Sequence, residues 1–536
     1  MSFEKHALGD SSFYLKTGSI YYINTNGALK GQLKELKLKT KKMKIDPELK
    51  MKFECFVIHK HNVSKVIDAI PELSAFLSSI LETSFLQKTY TWRTPQIDER
   101  CFPYQREGIL WAIETKNCYI ADEMGLGKTV QGIGFMDNSP YRTALVIAPA
   151  CVVLNWAEEI LEWSSNWTPL LLGSKDQIRS QLKHIQNRDH IAYITTWSQL
   201  ALQGHLFSQL NFELVILDEA HKAKNPDAQC TINAQAVTAN AQSTILLSGT
   251  PVQNSAIDLW SQLSLITDEF GTFDEFAQRY APPIEFHTPN GMQVKHTVST
   301  NLVELRKRCL KYMIHRKKIN VLKDLPPITH EKLQLILKDK DVYQEWESLT
   351  GKAKDGEQIH LASHRKSLGI AKAKAVVDWI INHVSANYPI VIFFVHKDVH
   401  TVLANAMNQN DIPYGSIVGK TSKEDRQKYK EEFQTGKLWI MLCSEAGKEG
   451  MTLTRSSRLL QLEKYWVPSA EDQAHARVHR IGSENPVLIT HAIVHKTMDD
   501  LLLAKIAYKR KVIKELFGKE LMTQDEMNYM LDRVQI

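Results

Sequence analysis

One stretch of this chain, residues 121–129, constrains its fold more than any other. It reads Ala-Asp-Glu-Met-Gly-Leu-Gly-Lys-Thr, follows a short apolar run at residues 118–121, and precedes apolar residues with helical spacing at residues 130–135. A loop between a strand and a helix surrounds one point with backbone N–H groups and the positive end of the helix, while glycines let the backbone approach closely. The stretch therefore predicts a strand, a phosphate-binding loop and a helix, in that order.

The residue types of this loop match the needs of a nucleotide phosphate. Lys128 is suited to neutralise phosphate charge, and the Thr129 hydroxyl is suited to ligate Mg²⁺. Asp122 stands where the strict G-x-x-x-x-G-K-[ST] pattern has its first glycine, so a glycine-rich turn without a ligand stays open on this motif alone. The predicted nucleotide-binding residues of the loop are Met124, Gly125, Leu126, Gly127, Lys128 and Thr129.

Two adjacent carboxylates follow a second apolar run downstream. Residues 214–217 are Leu-Val-Ile-Leu, and Asp218 and Glu219 come next. At the carboxyl end of a buried strand beside a phosphate loop, Asp218 can hold the magnesium shell while Glu219 orients or deprotonates the attacking water. Such a pair in isolation is more often a solvated strand end, but its strand-like flanks and its place after the loop favour a catalytic pair. With Lys128, these residues predict a site for nucleoside triphosphate hydrolysis.

Further motifs make the chain resemble the superfamily 2 helicases, and within them the Snf2-like double-stranded-DNA translocases. The resemblance extends from about residue 102 to residue 517. Residues 102–108, Phe-Pro-Tyr-Gln-Arg-Glu-Gly, resemble the family's adenine-reading segment and imply that Gln105 pairs with the base edge. Residues 247–254, Leu-Ser-Gly-Thr-Pro-Val-Gln-Asn, resemble its coupling motif, which few other families carry.

Other segments resemble the family's motifs for DNA contact and coupling. Residues 148–150, Ala-Pro-Ala, are followed by Asn155, Trp156 and Glu159, and residues 194–197 read Ile-Thr-Thr-Trp. Both segments would touch a DNA strand. The acid pair continues in the Snf2 manner as Ala-His-Lys-Ala-Lys-Asn. The resemblance implies coupling or DNA-contact roles for Thr195, Thr196, His221, Ser248, Gly249, Thr250 and Gly450.

A second lobe is indicated by strand-like runs at residues 389–396 and 436–442, with a helix between them at residues 423–433. Residues 450–454 and 473–482 resemble the last two family motifs. The resemblance makes Arg477 and Arg480 candidate arginine fingers, because a planar guanidinium can stabilise charge on a γ-phosphate. Without the other motifs, these arginines would be assigned to a solvated helix face.

Two substitutions within the motifs indicate a branch of the family. Thr452 replaces the Asn common in chromatin-remodelling members, and Glu463 replaces an Asp. Both choices resemble the fork-remodelling, strand-annealing branch.

Composition bounds the remaining possibilities. The 536 residues are 43% hydrophobic, enough for about two to four domains. The net charge of +6 permits nucleic-acid binding, and residues 30–52 are dense in lysine.

Seven scattered cysteines without C-x-x-C spacing argue against a zinc finger and a disulfide framework. The sequence has no leader-like start and no long apolar run, so we expect a cytoplasmic, nucleoid or nuclear protein, neither secreted nor in a membrane.

The pattern of elements predicts an α/β chain with two tandem RecA-like parallel-sheet lobes, helical insertions and a small N-terminal α+β accessory domain. The accessory domain is inferred from strand-like runs at residues 19–23 and 53–58 and a helical stretch at residues 63–86. The predicted parts are an accessory domain at 1–95, the first lobe at 96–270, helical protrusions and an interlobe linker at 271–370, the second lobe at 371–495, and a brace helix against the first lobe with a tail at 496–536.

The resemblance implies an ATP-dependent translocase or helicase that uses ATP and Mg²⁺ on double-stranded or branched DNA, in repair, recombination or replication-fork remodelling. Neither zinc nor a membrane is predicted as a partner, and the sequence does not identify protein partners. An RNA helicase stays open because Asp-Glu-Ala-His also occurs in that class, although residues 222–225 and 249–254 argue against it. A nucleic-acid-binding module with an inactive motor is the third alternative, although every catalytic residue type is present.

Overall fold

The computed structural model of this protein describes residues 95–182, 190–288, 291–338, 340–354, 361–447 and 451–517, and the backbone of five strands within residues 4–59. Those strands are β1 (Glu4–Leu8), β2 (Ser11–Lys16), β3 (Ser19–Asn24), β4 (Thr40–Met43) and β5 (Phe53–His59). They form an antiparallel sheet in the order β1-β2-β3-β5-β4. The strands predicted at residues 19–23 and 53–58 are therefore confirmed, while the helix predicted at residues 63–86 lies outside the described residues.

The first lobe is built on a parallel sheet. Its strands are β6 (Cys118–Ile120), β7 (Thr143–Ala148), β8 (Thr168–Leu171), β9 (Ile191–Thr196), β10 (Leu214–Asp218) and β11 (Ser243–Leu247). A seventh strand, Met313–Ile314, adds to the edge beside β6, so the order is Met313–Ile314, β6, β11, β10, β7, β9, β8. Every neighbouring pair is parallel. Such sheets are covered on both faces, which explains the continuous apolar runs in the sequence.

Helices cover both faces of this sheet. They are α1 (Pro103–Thr115), α2 (Lys128–Asn138), α3 (Val153–Trp163), α4 (Lys175–Leu182), α5 (Trp197–Phe207), α6 (Gln229–Thr238), α7 (Asp258–Leu263), α8 (Phe273–Tyr280) and α9 (Leu302–Cys309). Alternate residues of β10 enter two separate cores: Val215 and Leu217 pack into one, and Leu214 and Ile216 into the other. The carboxyl ends of the strands are thereby fixed as one edge of the lobe.

The interval at residues 271–370, predicted as helical protrusions and a linker, also contains strands. A hairpin pairs β12 (Ile284–Thr288) with β13 (Gly291–Lys295). The edge strand of the first sheet, now β14 (Met313–Ile314), comes next, followed by the short helix α10 (Lys318–Val321) and by β15 (Ile328–Gln334). α11 (Asp341–Lys354) and the first part of α12 (Leu361–His383) complete the interval.

The second lobe has a parallel sheet of six strands that includes β15. The others are β16 (Ile390–Phe393), β17 (Tyr414–Ile417), β18 (Ile440–Cys443), β19 (Arg458–Gln461) and β20 (Val487–Ile493). The order is β15-β20-β19-β16-β18-β17. Its helices are α12, α13 (Lys397–Gln409), α14 (Lys423–Gln434) and α15 (Pro468–His475).

The last described helix, α16 (Met498–Phe517), joins the cores of the two lobes. Leu502 packs into the core of the second lobe, whereas Val512, Leu516 and Phe517 pack into the core of the first. No helix among the described residues is long and apolar enough to cross a membrane. The predicted fold class, an α/β chain with two parallel-sheet lobes, is confirmed, and the predicted domain boundaries stay a prediction.

Candidate active site

The predicted phosphate loop lies between β6 and α2, as the sequence indicates. Gly125 and Gly127 have φ angles of 83° and 68°, a left-handed conformation that favours glycine. A Cβ at Gly127 would also collide with Nε2 of Gln105. Lys128 and Thr129 are the first two residues of α2, so the loop delivers them to the amino end of that helix. That end of a helix attracts anions.

The Lys128 ammonium is held inside the loop. Its Nζ donates to the carbonyl oxygens of Asp122, at 2.8 Å, and Glu123, at 3.3 Å. Burial lowers the pKa of Lys128, and the nearby carboxylates of Glu219, Asp122 and Asp218 oppose that change. The Lys128 ammonium therefore lies among carbonyl oxygens of the loop and near both carboxylates of the predicted acid pair, Asp218 and Glu219.

Asp122, which replaces the first glycine of the strict pattern, is a fully buried anchor of the loop. Arg316 donates to it three times, from its backbone N and Nε to Oδ1, both at 3.0 Å, and from its second terminal nitrogen to Oδ2 at 2.6 Å. Gln131 Nε2 adds a bond to Oδ2 at 3.0 Å. Burial alone would raise the pKa of Asp122, but Arg316 and Gln131 keep it below its usual value. The loop is thus fixed by an ion pair that sequence reasoning missed.

Asp218 lies at the end of β10 and is held by two tryptophans. The indole Nε1 of Trp156 donates to its Oδ2 at 2.9 Å, and the indole Nε1 of Trp197 donates to its carbonyl oxygen at 2.8 Å. Its Oδ1 accepts the backbone N–H of Glu219 at 2.9 Å. Burial, and then the adjacent charge of Glu219, raise the pKa of Asp218. The Asp218 carboxyl is therefore held in one orientation.

Glu219 meets two residues that the family resemblance assigns to coupling. Its Oε2 accepts a hydrogen bond from Ser248 Oγ at 3.3 Å and lies 3.1 Å from His221 Nδ1. His221 Nδ1 and Ser248 Oγ share a hydrogen bond of 2.9 Å. Burial would raise the pKa of Glu219, but His221, Lys128 and Ser248 lower it below its usual value. The structure thus brings together three predicted residues from two separate motifs around one ionised carboxylate.

The coupling motif also touches the phosphate loop. A Cβ built on Gly249 would lie 2.6 Å from Cγ of Met124 and 3.2 Å from Nζ of Lys128. The backbone N–H of Thr250 donates to Ser248 Oγ at 3.1 Å. Only a glycine lets the strand end after β11 approach the loop this closely.

The predicted adenine-reading segment is bonded to the same loop. Gln105 Oε1 accepts the backbone N–H of Phe102 at 2.9 Å, and Gln105 Nε2 donates to the carbonyl oxygen of Leu126 at 3.2 Å. The Tyr104 hydroxyl donates to the same oxygen at 3.1 Å. The predicted base-contacting residue and the phosphate loop therefore adjoin one another.

Of the two predicted arginine fingers, Arg480 lies against the first lobe. Its Cβ is 3.4 Å from a Cβ built on Gly125 of the phosphate loop. One terminal nitrogen donates to Thr452 Oγ1 at 2.9 Å. Burial lowers the pKa of Arg480, and the carboxylate of Glu159 in the first lobe opposes that change. Thr452 is the residue whose identity indicates the annealing branch, and it orients this guanidinium.

Arg477 is bonded to its own lobe. One terminal nitrogen donates to the carbonyl oxygen of Met451 at 3.0 Å, and Nε donates to that of Gln473 at 3.2 Å. Gly450, predicted as a coupling residue, lies outside the described residues.

The two threonines predicted to contact DNA have structural partners. The Thr195 hydroxyl donates to the carbonyl oxygen of Leu172 at 2.9 Å, and the residue is 1% exposed. Thr196 caps α5, because its Oγ1 accepts the backbone N–H of Gln199 at 3.0 Å. Their DNA contacts stay a prediction.

Comparison with known proteins supplies the context for this geometry. The family model described as the SNF2-related domain matches residues 104–382, slightly more than half of the chain, and the helicase conserved C-terminal domain matches residues 371–482. The chain is 28% identical to the SWI/SNF-related matrix-associated actin-dependent regulator of chromatin subfamily A-like protein 1 of Drosophila melanogaster, over 79% of this chain and 56% of that protein. It is also 28% identical to the DNA annealing helicase and endonuclease ZRANB3 of Bos taurus, over 84% of this chain and 43% of that protein.

The chain thus spans about half the length of the curated relatives it matches. Among solved structures, the Sulfolobus solfataricus SWI2/SNF2 ATPase core in complex with dsDNA is 22% identical, with 82% of this chain and 98% of that chain covered. The TM-score of that comparison is 0.40.

Proposed function

Because this chain belongs to the SNF2-related family, we propose that it is an ATP-dependent translocase on double-stranded or branched DNA, acting in repair, recombination or replication-fork remodelling. One observation supports the proposal above the others. Arg480 of the second lobe lies against Gly125 of the phosphate loop in the first lobe, and that first lobe also carries Glu219, which bonds to Ser248 of the coupling motif. A site completed by two lobes can convert hydrolysis at their junction into a change of their relative position.

In this proposal the first lobe binds and cleaves ATP. Backbone N–H groups of the loop and the Lys128 ammonium hold the phosphates, and Gln105 reads the base. Glu219 accepts the proton of the attacking water, because its lowered pKa keeps it ionised at neutral pH. His221 and Ser248 fix the orientation of its carboxylate. Arg480, and Arg477 beside it, stabilise the charge that develops on the γ-phosphate.

The residues also fit a magnesium ion. Mg²⁺ takes oxygen ligands and is bound by one or two protein groups together with phosphates and water. Thr129 and Asp218 supply a hydroxyl and a carboxyl of that kind. Bound magnesium would neutralise phosphate charge.

Two motif segments that the family resemblance predicts to contact a DNA strand support DNA as the substrate. Each segment carries a tryptophan whose indole bonds to Asp218, Trp156 at the side chain and Trp197 at the backbone. A DNA strand bound against these segments can therefore alter the acid pair directly. The relatives named as annealing helicases, together with Thr452 and Glu463, make branched DNA the substrate to test first.

The test is ATP turnover measured with single-stranded DNA, duplex DNA, forked DNA and RNA as separate ligands. We expect duplex or forked DNA to stimulate turnover most. Lys128→Ala is the negative control: it should abolish turnover and retain DNA binding in a gel-shift assay, because Lys128 contacts phosphate. Stimulation by RNA alone would support the RNA helicase, and no turnover with any ligand would support an inactive motor.

A further inference from the structure

A second lysine lies at the phosphate loop, although nothing in the loop motif points to it. Lys318 begins α10 in the segment that links the lobes. A Cβ built on Gly125 would lie 3.4 Å from its Nζ and 3.4 Å from its Cε. The ammonium group is therefore in direct reach of whatever the loop binds.

The backbone that carries Lys318 is tied to the loop one residue after another. The N–H of Glu123 donates to the carbonyl oxygen of Arg316 at 3.0 Å, and the N–H of Lys318 donates to Glu123 Oε2 at 2.8 Å. Arg316 itself is paired with the buried Asp122. These hydrogen bonds between the linking segment and the loop therefore fix the position of the Lys318 backbone.

The ammonium also reaches the second lobe. Its Nζ donates to the carbonyl oxygen of His479 at 2.8 Å, next to Arg480. A lysine ammonium has three donors, so this bond leaves two for another acceptor. Burial, partly opposed by Glu123, lowers the pKa of Lys318 to about 8, so the group remains mostly charged at neutral pH.

The charges around Lys318 fit a polyphosphate. Lys128, Arg477 and Arg480 are close enough to act on its protonation, and all three disfavour its charge. Like charges held together in a partly buried cleft are unfavourable unless an anion neutralises them. Asp122 is already neutralised by Arg316. Glu123 and Glu159 oppose part of this positive charge, and a triphosphate would add further negative charge among the cations.

We propose that Lys318 is a phosphate-binding residue that contacts the triphosphate from the interlobe segment, together with Lys128. The proposal rests on the proposed function and deepens it. A nucleotide with β- and γ-phosphates then bonds to the first lobe and to the linking segment, which Lys318 also joins to the second lobe through the carbonyl oxygen of His479. AMP, which has neither of these phosphates, does not make that connection.

The experiment compares nucleotide affinities of the full chain and its variants. The dissociation constants of ATP, ADP and AMP are measured by competition with a fluorescent nucleotide. Lys318→Gln is the main variant because its amide can still donate to His479, and Lys318→Met removes both charge and donor. Lys323→Met is the matched control, since Lys323 is an exposed lysine of the same linking segment.

For Lys318→Gln we expect ATP to bind at least about ten-fold more weakly, the usual scale for a lost hydrogen bond to a charged group. AMP affinity should change by less than about two-fold on the same scale, and Lys323→Met should match the wild type for all three nucleotides. Equal weakening of ATP and AMP, or no weakening, would overturn the proposal in favour of an interlobe contact alone. If the wild type itself failed to bind ATP, the proposed function would be lost, which is a separate outcome.

Discussion

Glu219 combines a left-handed backbone with a buried, ionised carboxylate. Its φ and ψ are both 50°, a backbone conformation that residues other than glycine seldom adopt. Strain of this kind costs about 1–3 kcal/mol and persists only where the surroundings enforce it. The hydrogen bonds to Asp218, His221 and Ser248 supply that enforcement. The same contacts therefore hold the Glu219 backbone and its carboxylate in one arrangement.

We predict that Glu219→Gln binds ATP and hydrolyses it at least about a hundred-fold more slowly, since the amide keeps the shape and loses the proton acceptor. Single-turnover hydrolysis and nucleotide binding are the measurements. Glu158→Gln, on an exposed part of α3, is the control and should behave as the wild type. Loss of ATP binding in Glu219→Gln would instead make Glu219 a structural residue.

For Arg480→Ala we predict a loss of DNA-stimulated turnover of up to about 10³–10⁵-fold, the range for an arginine that dominates charge stabilisation. ATP affinity should change little. Arg480→Lys keeps the charge but loses the planar pair of donors, so it should recover only part of the rate. The assay compares turnover with and without DNA. An equal fractional loss of turnover with and without DNA would contradict a role for Arg480 that depends on DNA bringing the two lobes together.

The residue types of the site could be predicted from the sequence, but several of their partners could not. The loop, the acid pair and Ser248 lie in continuous motifs with fixed spacing. Arg316 and Trp156 bond to Asp122 and Asp218 across long stretches of chain, and no local pattern encodes such contacts. The sequence gives one indication of Arg316: Asp122 stands at a glycine position in the loop, and a buried carboxylate needs a cation as its partner.

At the scale of elements, the parallel order of the first sheet explains why the tryptophans meet the acid pair. β7 lies between β9 and β10, so the segments that follow all three strands emerge at one edge. Trp156 belongs to α3 after β7, and Trp197 begins α5 after β9. Their helices therefore connect the predicted DNA segments to Asp218 rigidly.

From this arrangement we predict that Trp156→Phe lowers DNA-stimulated turnover more than basal turnover. A smaller aromatic ring replaces the indole, and Asp218 loses a hydrogen bond whose removal typically costs about 1–3 kcal/mol. Steady-state turnover with and without duplex DNA is measured. Trp163→Phe, at the end of the same helix, is the control. The coupling role is excluded if both tryptophan variants lower the two rates alike.

Strands with long apolar runs could be predicted, and short or polar strands could not. β10 and β16 are continuous apolar runs, as buried parallel strands should be. β14 has two residues, and β15 is largely exposed with the sequence Ile-Thr-His-Glu-Lys-Leu-Gln. Neither carries a periodic signal, because tertiary pairing at a sheet edge determines both.

At the scale of the whole molecule, α16 connects the two cores and the nucleotide loop. The ring of Phe517 lies 5.1 Å from that of His315, which shares a hydrogen bond of 2.7 Å with the carbonyl oxygen of Ala121. Lys509 donates to Asn254 Oδ1 at 2.9 Å and to the carbonyl oxygen of Trp466 at 2.8 Å, so it bonds to both lobes. The helix predicted to brace the first lobe therefore also holds the second.

Because the two ends of α16 pack into different cores, we predict that a cavity at either end destabilises mainly the lobe into which that end packs. Leu516 is 1% exposed in the core of the first lobe and Leu502 is 2% exposed in that of the second, so either change to Ala should cost about 2–5 kcal/mol through the cavity it leaves. Hydrogen exchange should show Leu516→Ala weakening protection of β10 and β11, and Leu502→Ala weakening that of β16 and β18. Lys511→Ala, at an exposed position of α16, should weaken neither. Equal loss in both lobes from either cavity would mean that α16 makes them one cooperative unit, because local opening would then require both cores to open.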